Sequence, residues 1–495
     1  MYGTVHNRTQ FCPRRRRRED TVKQCQLFVA GKWIAGESTE ILHNKFDETE
    51  LAEVHVASQG HVRAATEGVS AAQQSDNLSA YERFEILQRA SELVRTNAEQ
   101  FAEAIVLDTG FVWSDAQAEV GRAVQTLLLS AEEAKRITGE IVPMSSAPGG
   151  GDRLGFTVRH PRGVVCAITP FNSPLNTVAH KVGPALASGN GVVLKPSTYT
   201  PLSSDLLVRT LLEAGLPEGL ISLLHGSGAT VGHWLLEDKI PDFYAFTGST
   251  AVGEHIRRTV GLRPAQLELG SLSSTIVCED ANLEACVPKV VAGSFRKAGQ
   301  VCTSIQRIFV QEGLADEFVQ ELKTSLSGRT AGDPLEKTSF IGPVISHEDA
   351  ERIQSSIDTA ISDGGQLVLG GESTGGIVQP TLLTHVSPEM GVMNREIFGP
   401  VVSVRVFKEF DRALDEVNDT PFGLSAGIFT NDLDRAMSGA RRLRMGSVHI
   451  NETSSSRVDL MPFGGVKASG SGKEGPHYAI AEMTEERLVT IGPHA

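Results

Sequence analysis

Cys302 stands in the stretch Gly299-Gln300-Val301-Cys302, Glu268 upstream of it in Leu267-Glu268-Leu269-Gly270, and Asn172 earlier still in Thr169-Pro170-Phe171-Asn172. Together they supply a thiol, a carboxylate and a neutral amide. A free cysteine is mostly protonated at neutral pH, with a pKa of about 8.5, and becomes a nucleophile only where its surroundings favour the thiolate. Attack on an aldehyde carbonyl makes a tetrahedral oxyanion, which needs hydrogen-bond donors aimed at it. The Asn172 side-chain amide and the Cys302 backbone N–H are the donors at hand. Loss of hydride from that adduct leaves a thioester, and water deprotonated by a carboxylate such as Glu268 releases the acid. Each residue alone reads blandly: a single cysteine is usually structural, a Pro-Phe-Asn can be a simple turn, and a Glu after a strand is usually solvated. All three in this order favour aldehyde oxidation through a covalent thioester.

Groups this far apart in sequence need a large scaffold. At 495 residues the length prior is about three domains. Such a chain buries large cores without disulfides or metals. The first 24 residues read as a disordered tail. Order is expected near Leu27–Trp33 as strand, turn and strand, followed by helical patterns at 61–75, 80–97, 99–108 and 113–138. In the last of these Ala116, Val120, Ala123 and Leu127 recur at helical spacing. From about residue 157 short apolar runs (164–168, 191–194, 221–224, 243–246) alternate with helical segments (173–188, 202–214, 228–236, 250–260). That alternation predicts a parallel, doubly wound, dinucleotide-binding sheet. A second series follows Glu268, with helices at 281–297, 313–327, 347–363, 410–417 and 431–442. Its strands are expected at 307–310, 367–369, 401–406, 426–429 and 448–450. Cys302 falls just past the first of these helices. Ser145–Gly151 is the clearest loop, and Arg487–Ile491 reads as a lone strand, a liability unless something covers it.

Composition narrows the partners. Hydrophobic residues make up 40% and charged residues 21%, ordinary for a globular protein. A net charge of −14 argues against nucleic acid, which needs a basic face, but not against a small anionic substrate, because a pocket's field can oppose the global one. No apolar run is long enough for a membrane helix. The cysteines at 12, 25, 166, 278, 286 and 302 are scattered without a CxxC pair. No disulfide framework or metal site is expected, and the compartment is a reducing one, the cytoplasm. Cys166, Cys278 and Cys286 read as core filler. The run Arg14–Arg18 is followed by Glu19-Asp20 rather than an apolar segment, so it reads as a solvated tail and not a secretory signal.

Several further segments carry a family likeness. Phe246-Thr247-Gly248-Ser249-Thr250-Ala251-Val252-Gly253 joins a strand to a helix and offers Ser249 and free N–H groups to a pyrophosphate. No GxGxxG is present. With Val193-Leu194-Lys195-Pro196-Ser197-Thr198, Glu396-Ile397-Phe398-Gly399-Pro400 and Pro462-Phe463-Gly464-Gly465, this chain resembles the aldehyde dehydrogenase superfamily along nearly its whole length. The resemblance implies an α/β fold of two doubly wound domains plus a small β bridging element. The NAD(P)-binding domain would span 25–147 and 163–268, the catalytic domain 269–450, and the bridging element 148–162 and 478–495. The bridging pieces would pair between protomers of a homodimer or homotetramer. The resemblance implies Lys195 at the adenine-side ribose, Glu396 on the nicotinamide ribose and Phe398 beside the nicotinamide. Further cofactor contacts are implied at Thr169, Pro170, Ser197, Gly228, Gly248, Gly253, Leu269 and Gly270. Where NAD-preferring members often hold a glutamate, Thr198 removes a charge that would repel a 2′-phosphate, which points to NADP or dual use. Gly270-Ser271 departs from the usual glycine pair, a departure shared by several small-aldehyde branches. The Pro-Phe-Gly-Gly signature is expected to be structural.

The stretch Asn451–Asp459 resembles branches acting on lactaldehyde, succinate semialdehyde or phosphonoacetaldehyde. It implies Arg457 as an anion anchor, with Arg122 as a second, able to grip a carboxylate or phosphonate. Ser173, Val301 and Thr303 complete the expected substrate wall. Alternatively Arg122 pairs with Glu119 or another helix carboxylate. Val301 weighs against the anion, because several anion-specific relatives carry a basic residue there. Phe111 and Trp113 could instead make an apolar entrance for aromatic or aliphatic aldehydes. A coenzyme A-acylating enzyme and a non-catalytic relative are the other classes. The retained Glu268 argues against the first, and the retained Cys302, Glu268 and Asn172 against the second.

Overall fold

The structure, a computed structural model, describes residues 23–75 and 78–492. The runs Val164–Ile168 and Gly191–Lys195 are buried on both faces. Aliphatic residues without alternation suit a sheet covered on both sides. They lie at the centre of an eight-stranded sheet. Its parallel strands run in the order Ala265–Glu268, Phe243–Thr247, Val164–Ile168, Gly191–Lys195 and Ile221–Leu223. Antiparallel Gly470–Ser471 closes one edge, and the hairpin of Leu27–Val29 and Lys32–Ile34 the other. Strand order reverses between Val164–Ile168 and Phe243–Thr247, the kind of switch point where a crevice opens beyond the strands' C-terminal ends.

A second sheet has seven strands in the order Gln366–Leu369, Thr381–Thr384, Val401–Phe407, Arg307–Gln311, Ser274–Val277, Ser425–Phe429 and Ser447–Ile450, parallel except for the first. Ile276, Ile308, Val402 and Ile428 are fully buried in its core, each contributing about 2–3 kcal/mol by leaving water. Glu268 ends a strand of the first sheet, and the chain next enters the second at Ser274, so the carboxylate lies where the two meet. Among the described residues no helix is long and apolar enough to cross a membrane.

The α/β class and both alternating series agree with the sequence reading; several details differ. Lys23 and Gln24, assigned to the tail, form a strand with Cys25 against Ala52–Val54. Arg14–Arg18 lies outside the described residues. The strands Ser38–His43 and Glu50–Val56 were not expected; they pair with each other as a ribbon whose outer residues are polar. The terminal strand is not alone. Thr484–Ile491 pairs along its whole length with Leu154–Pro161 of the same chain, and Ile141–Val142 adds a third strand. The two bridging pieces pair with each other within one chain, and Thr484–Ile491 forms the edge of that sheet. A contact this distant in sequence leaves no local signal.

Candidate active site

Strand ends deliver the side chains. Asn172 follows Val164–Ile168, while Lys195, Thr247 and Glu268 each terminate a parallel strand. All four line one cavity of about 420 Å3, together with Cys302 from the second sheet's side.

The cysteine is presented by a break in the backbone. Helix Leu283–Phe295 stops short of the expected 297 because Lys297 and Ala298 take left-handed conformations (φ 54° and 53°) ahead of Gly299 at φ 70°. Each such non-glycine residue costs about 1–2 kcal/mol. A Cβ on Gly299 would lie 2.1 Å from the Gly399 carbonyl oxygen, so only glycine fits. Hydrogen bonds hold the turn: Lys297 N–H donates to Asp115 Oδ2 (2.8 Å), Gln300 N–H and Nε2 both donate to the Lys297 carbonyl, and Gln300 Oε1 accepts from Ile345 N–H (2.9 Å). Cys302 keeps some surface open to the cavity but is otherwise surrounded by protein. That burial pushes its thiol up to about 12; Arg457 opposes the shift and Glu268 reinforces it.

Asn172 commits one amide hydrogen to the Gln300 carbonyl (2.8 Å), which leaves the second for a ligand. Glu268 is buried with neither carboxyl oxygen hydrogen-bonded among the described residues. Burial, and then the negative charge of Glu474, raise its pKa well above the usual carboxylate range, against the opposing charges of Lys181 and Arg457. Glu474 titrates in the other direction: Lys181 (3.1 Å) and Arg457 (2.9 Å) hold its carboxyl far below the usual range despite burial. Signature residue Gly464 makes room for the base, since a Cβ there would stand 2.7 Å from Glu268 Oε1.

Three guanidinium groups face the same cavity: Arg122, Arg296 and Arg457. Arg122 pairs with Asp459 (2.7 Å) and not with Glu119, which instead binds Lys297. Arg457 pairs with Glu474 and lies over the Phe463 ring, 3.7 Å from its centroid. Arg296 donates to Ser455 Oγ (2.9 Å), makes no ion pair among the described residues, and leaves Nε unbonded. Ser173, Val301 and Thr303 line the same cavity. Phe111 and Trp113 do not line the cavity. Phe111 is fully buried and Trp113 packs on the first sheet's core, so the apolar entrance drawn from them is corrected.

The other half of the cavity is lined by Thr169, Pro170, Lys195, Ser197, Thr198, Gly228, Gly248, Ser249, Leu269, Gly270, Glu396 and Phe398. Gly253 is not among them; a Cβ there would meet Leu269 at 2.2 Å, so it is a packing glycine and its cofactor assignment is corrected. Ser249 caps helix Thr250–Val260 by accepting from Val252 N–H (3.4 Å). Among the described residues Lys195, lowered to about 8 by burial, bonds only the Pro196 carbonyl (3.2 Å), and the buried Thr169 hydroxyl has no hydrogen-bond partner. Burial lifts Glu396 to about 7, while the Ser271 N–H (3.0 Å) favours its ionised form. Phe171 stands edge-on to both Phe398 (5.9 Å) and Tyr199 (6.0 Å). Under-bonded polar groups beside a helix N-terminus, next to an uncharged Thr198, fit a dinucleotide with or without a 2′-phosphate.

Sequence reasoning missed Arg296, Glu474, Phe463 and Lys297. Arg296 and Lys297 fall at the end of the helix expected over 281–297, a position where cations are common and carry no signal of a site. Phe463 belongs to a signature expected to be structural, yet it faces the cavity.

Residues 33–489 match the Aldehyde dehydrogenase family. A 3-sulfolactaldehyde dehydrogenase from Priestia aryabhattai is 46% identical over 95% of this chain and 98% of its own. A lactaldehyde dehydrogenase from Methanocaldococcus jannaschii is 35% identical over 94% and 100% respectively. A glyceraldehyde-3-phosphate dehydrogenase from the same organism, solved with NADP, superposes with a TM-score of 0.88 at 35% identity, over 92% of this chain and 99% of that one.

Proposed function

Because the chain belongs to the aldehyde dehydrogenase family, NAD(P)-dependent oxidoreductases acting on aldehydes, we propose that its substrate is a small aldehyde with a sulfonate or carboxylate at its far end, 3-sulfolactaldehyde foremost. The observation that carries this reading is Arg296. A largely buried cation with no ion-paired carboxylate among the described residues, offset only in part by the more distant charge of Asp115, is costly, and a bound anion would reduce that cost. Arg122 and Arg457 add to the positive field on the same wall, and the Priestia relative acts on a sulfonated aldehyde.

In this reading Cys302 Sγ gives its proton to solvent water, and the thiolate bonds to the aldehyde carbon. Arg457 and Arg296 lower the cost of the thiolate that burial would otherwise forbid. The oxyanion is received by the free Asn172 amide hydrogen and the Cys302 backbone N–H. Bound NAD(P) supplies the hydride acceptor. Lys195, Ser249 and Glu396 would hold it, Glu396 through ribose hydroxyls. The Cys302 thioester then breaks when water adds to its carbonyl, releasing acid and free thiol. Glu268 takes the water's proton, and a carboxylate whose pKa is raised by burial is the stronger base for that step.

The same reading makes 25–147 with 163–268 the cofactor domain, 269–450 the catalytic domain, and 148–162 with 478–495 the bridging element of a homodimer or homotetramer. It sets the enzyme in the cytoplasm, where thiols such as the five free cysteines described stay reduced. The test is a substrate-by-cofactor matrix followed at the reduced nicotinamide absorbance. The expected result is a kcat/KM for 3-sulfolactaldehyde about 30- to 150-fold above that for propanal, the discrimination expected of an anion site worth roughly 2–3 kcal/mol. Equal values for the two aldehydes would refute the anionic-substrate reading.

A further inference from the structure

Lys297 lies next to the nucleophile loop yet is absent from the cavity wall, and its ammonium is fully engaged internally. Nζ donates to Glu119 Oε2 (2.5 Å), to Ser173 Oγ (2.8 Å) and to the backbone carbonyl of Asn172 (2.9 Å). Glu119 in turn accepts the N–H groups of Leu175 (2.9 Å) and Asn176 (3.1 Å), at the start of the helix that follows Asn172. On the other side, the Asn172 side chain donates to the Gln300 carbonyl, and Gln300 donates twice to the Lys297 carbonyl. The circuit closes: Lys297 holds the Asn172 backbone, Asn172 holds Gln300, and Gln300 holds Lys297. The two ends of the catalytic apparatus, the amide donor on one sheet and the cysteine loop on the other, are tied through one buried nitrogen.

We propose that Lys297 is a positioning residue that fixes Asn172 relative to Cys302, so that the free amide hydrogen meets the oxyanion. This rests on the oxyanion role assigned to Asn172. The left-handed pair Lys297-Ala298 fits the proposal, because a helix continued through 297 would not return this side chain toward Glu119 and Asn172. Three acceptors converge on one tetrahedral nitrogen, a task for an ammonium with three hydrogens and not for a guanidinium.

Removing Lys297 alone would strand Glu119, which is 1% exposed. The variant is therefore K297M/E119Q, because the amide oxygen that E119Q leaves in place can still accept the Leu175 and Asn176 N–H groups. The pre-steady-state burst of NAD(P)H is read with an aldehyde that the enzyme turns over. Losing one oxyanion donor slows such chemistry about 100- to 1000-fold, so a displaced donor should slow the burst by at least about tenfold. Alkylation of Cys302 by iodoacetamide, which forms no oxyanion, should change by less than about twofold, since nothing in that reaction uses the donor. In an N172A background the same two substitutions should leave the burst within about twofold, as expected of residues acting in series. A full further loss in that background, or an unchanged burst in K297M/E119Q, overturns the proposal. A wild-type burst in N172A itself would instead remove the oxyanion role of Asn172. Should the double variant fail to fold, K297R keeps a cation opposite Glu119 but cannot serve three acceptors from one nitrogen. Its burst should fall, and a wild-type burst in it also overturns the proposal.

Discussion

Replacing Arg296 with methionine tests the substrate reading most directly. The side chain sits in the cavity with Cys302, donates to Ser455 Oγ, and has no carboxylate in ion-pair contact among the described residues. A unit charge pair at 4 Å is worth about 4 kcal/mol at an effective dielectric near 20. Desolvation of the substrate anion and the remaining field of Arg122 and Arg457 reduce that to roughly 2–3 kcal/mol, the range of hydrogen bonds to charged groups. At about 1.4 kcal/mol per tenfold, R296M should lower kcat/KM for 3-sulfolactaldehyde about 30- to 150-fold. Propanal, which has nothing to offer the guanidinium, should change by less than about threefold, the size expected from lost packing alone. Stability should move the other way. Burial already disfavours the Arg296 charge, with Arg122 adding repulsion, and replacing a buried charge by an apolar side chain of similar length is often neutral or stabilising. Steady-state kinetics on both aldehydes and a thermal melt of the ligand-free protein are the assays. A parallel fall for both aldehydes would mean that Arg296 serves the chemistry and not the anion. No fall for either would take it out of the site.

Two further outcomes follow from the protonation states. Thiol alkylation reads the thiolate, and with Cys302 pushed up to about 12 the iodoacetamide rate in the ligand-free enzyme should rise about tenfold per pH unit from pH 6 to 10 without a plateau; Arg457 favours the thiolate, so R457M should be slower at every pH, and a plateau near pH 7 would show a thiolate already formed. E268Q should keep the first-turnover burst of NAD(P)H while steady turnover drops at least about 100-fold, within the range of general base catalysis; equal burst and steady rates would assign deacylation to another group.

The parts of the fold that were legible in sequence have local causes. Runs such as 164–168 and 191–195 are uniformly apolar because both faces are buried, and that pattern needs no knowledge of neighbours. The Thr484–Ile491 ladder is largely exposed and pairs with residues far upstream, so its partner could not be read. The strands Ser38–His43 and Glu50–Val56 carry mostly polar outer residues, which hides them in the same way. At the candidate site, Cys302, Glu268 and Asn172 stand out because their chemistry recurs with family motifs around them. Arg296 does not, because an arginine at a helix end is ordinarily a solvated partner of the helix dipole. Only the left-handed turn at Lys297-Ala298 redirects that stretch inward, and two successive non-glycine residues at positive φ are not predictable from residue type.

That turn also explains how a chain of net charge −14 can present a positive wall to a substrate. Opposite charges around the cavity are paired off unevenly. Asp459 answers Arg122, Glu119 answers Lys297, and the single carboxylate of Glu474 is shared by Lys181 and Arg457. Arg296 makes no carboxylate ion pair among the described residues, and burial raises the pKa of both Glu268 and Glu396, the other acids near the thiol, which disfavours their charged forms. What remains is an excess of positive charge confined to one end of the cavity, where low polarisability strengthens it. The protein's overall acidity lies outside, screened by salt over a Debye length of about 8 Å. Selectivity for an anionic aldehyde therefore depends on the sharing of Glu474 and the isolation of Arg296, both set by side-chain geometry, and net charge carries no information about either.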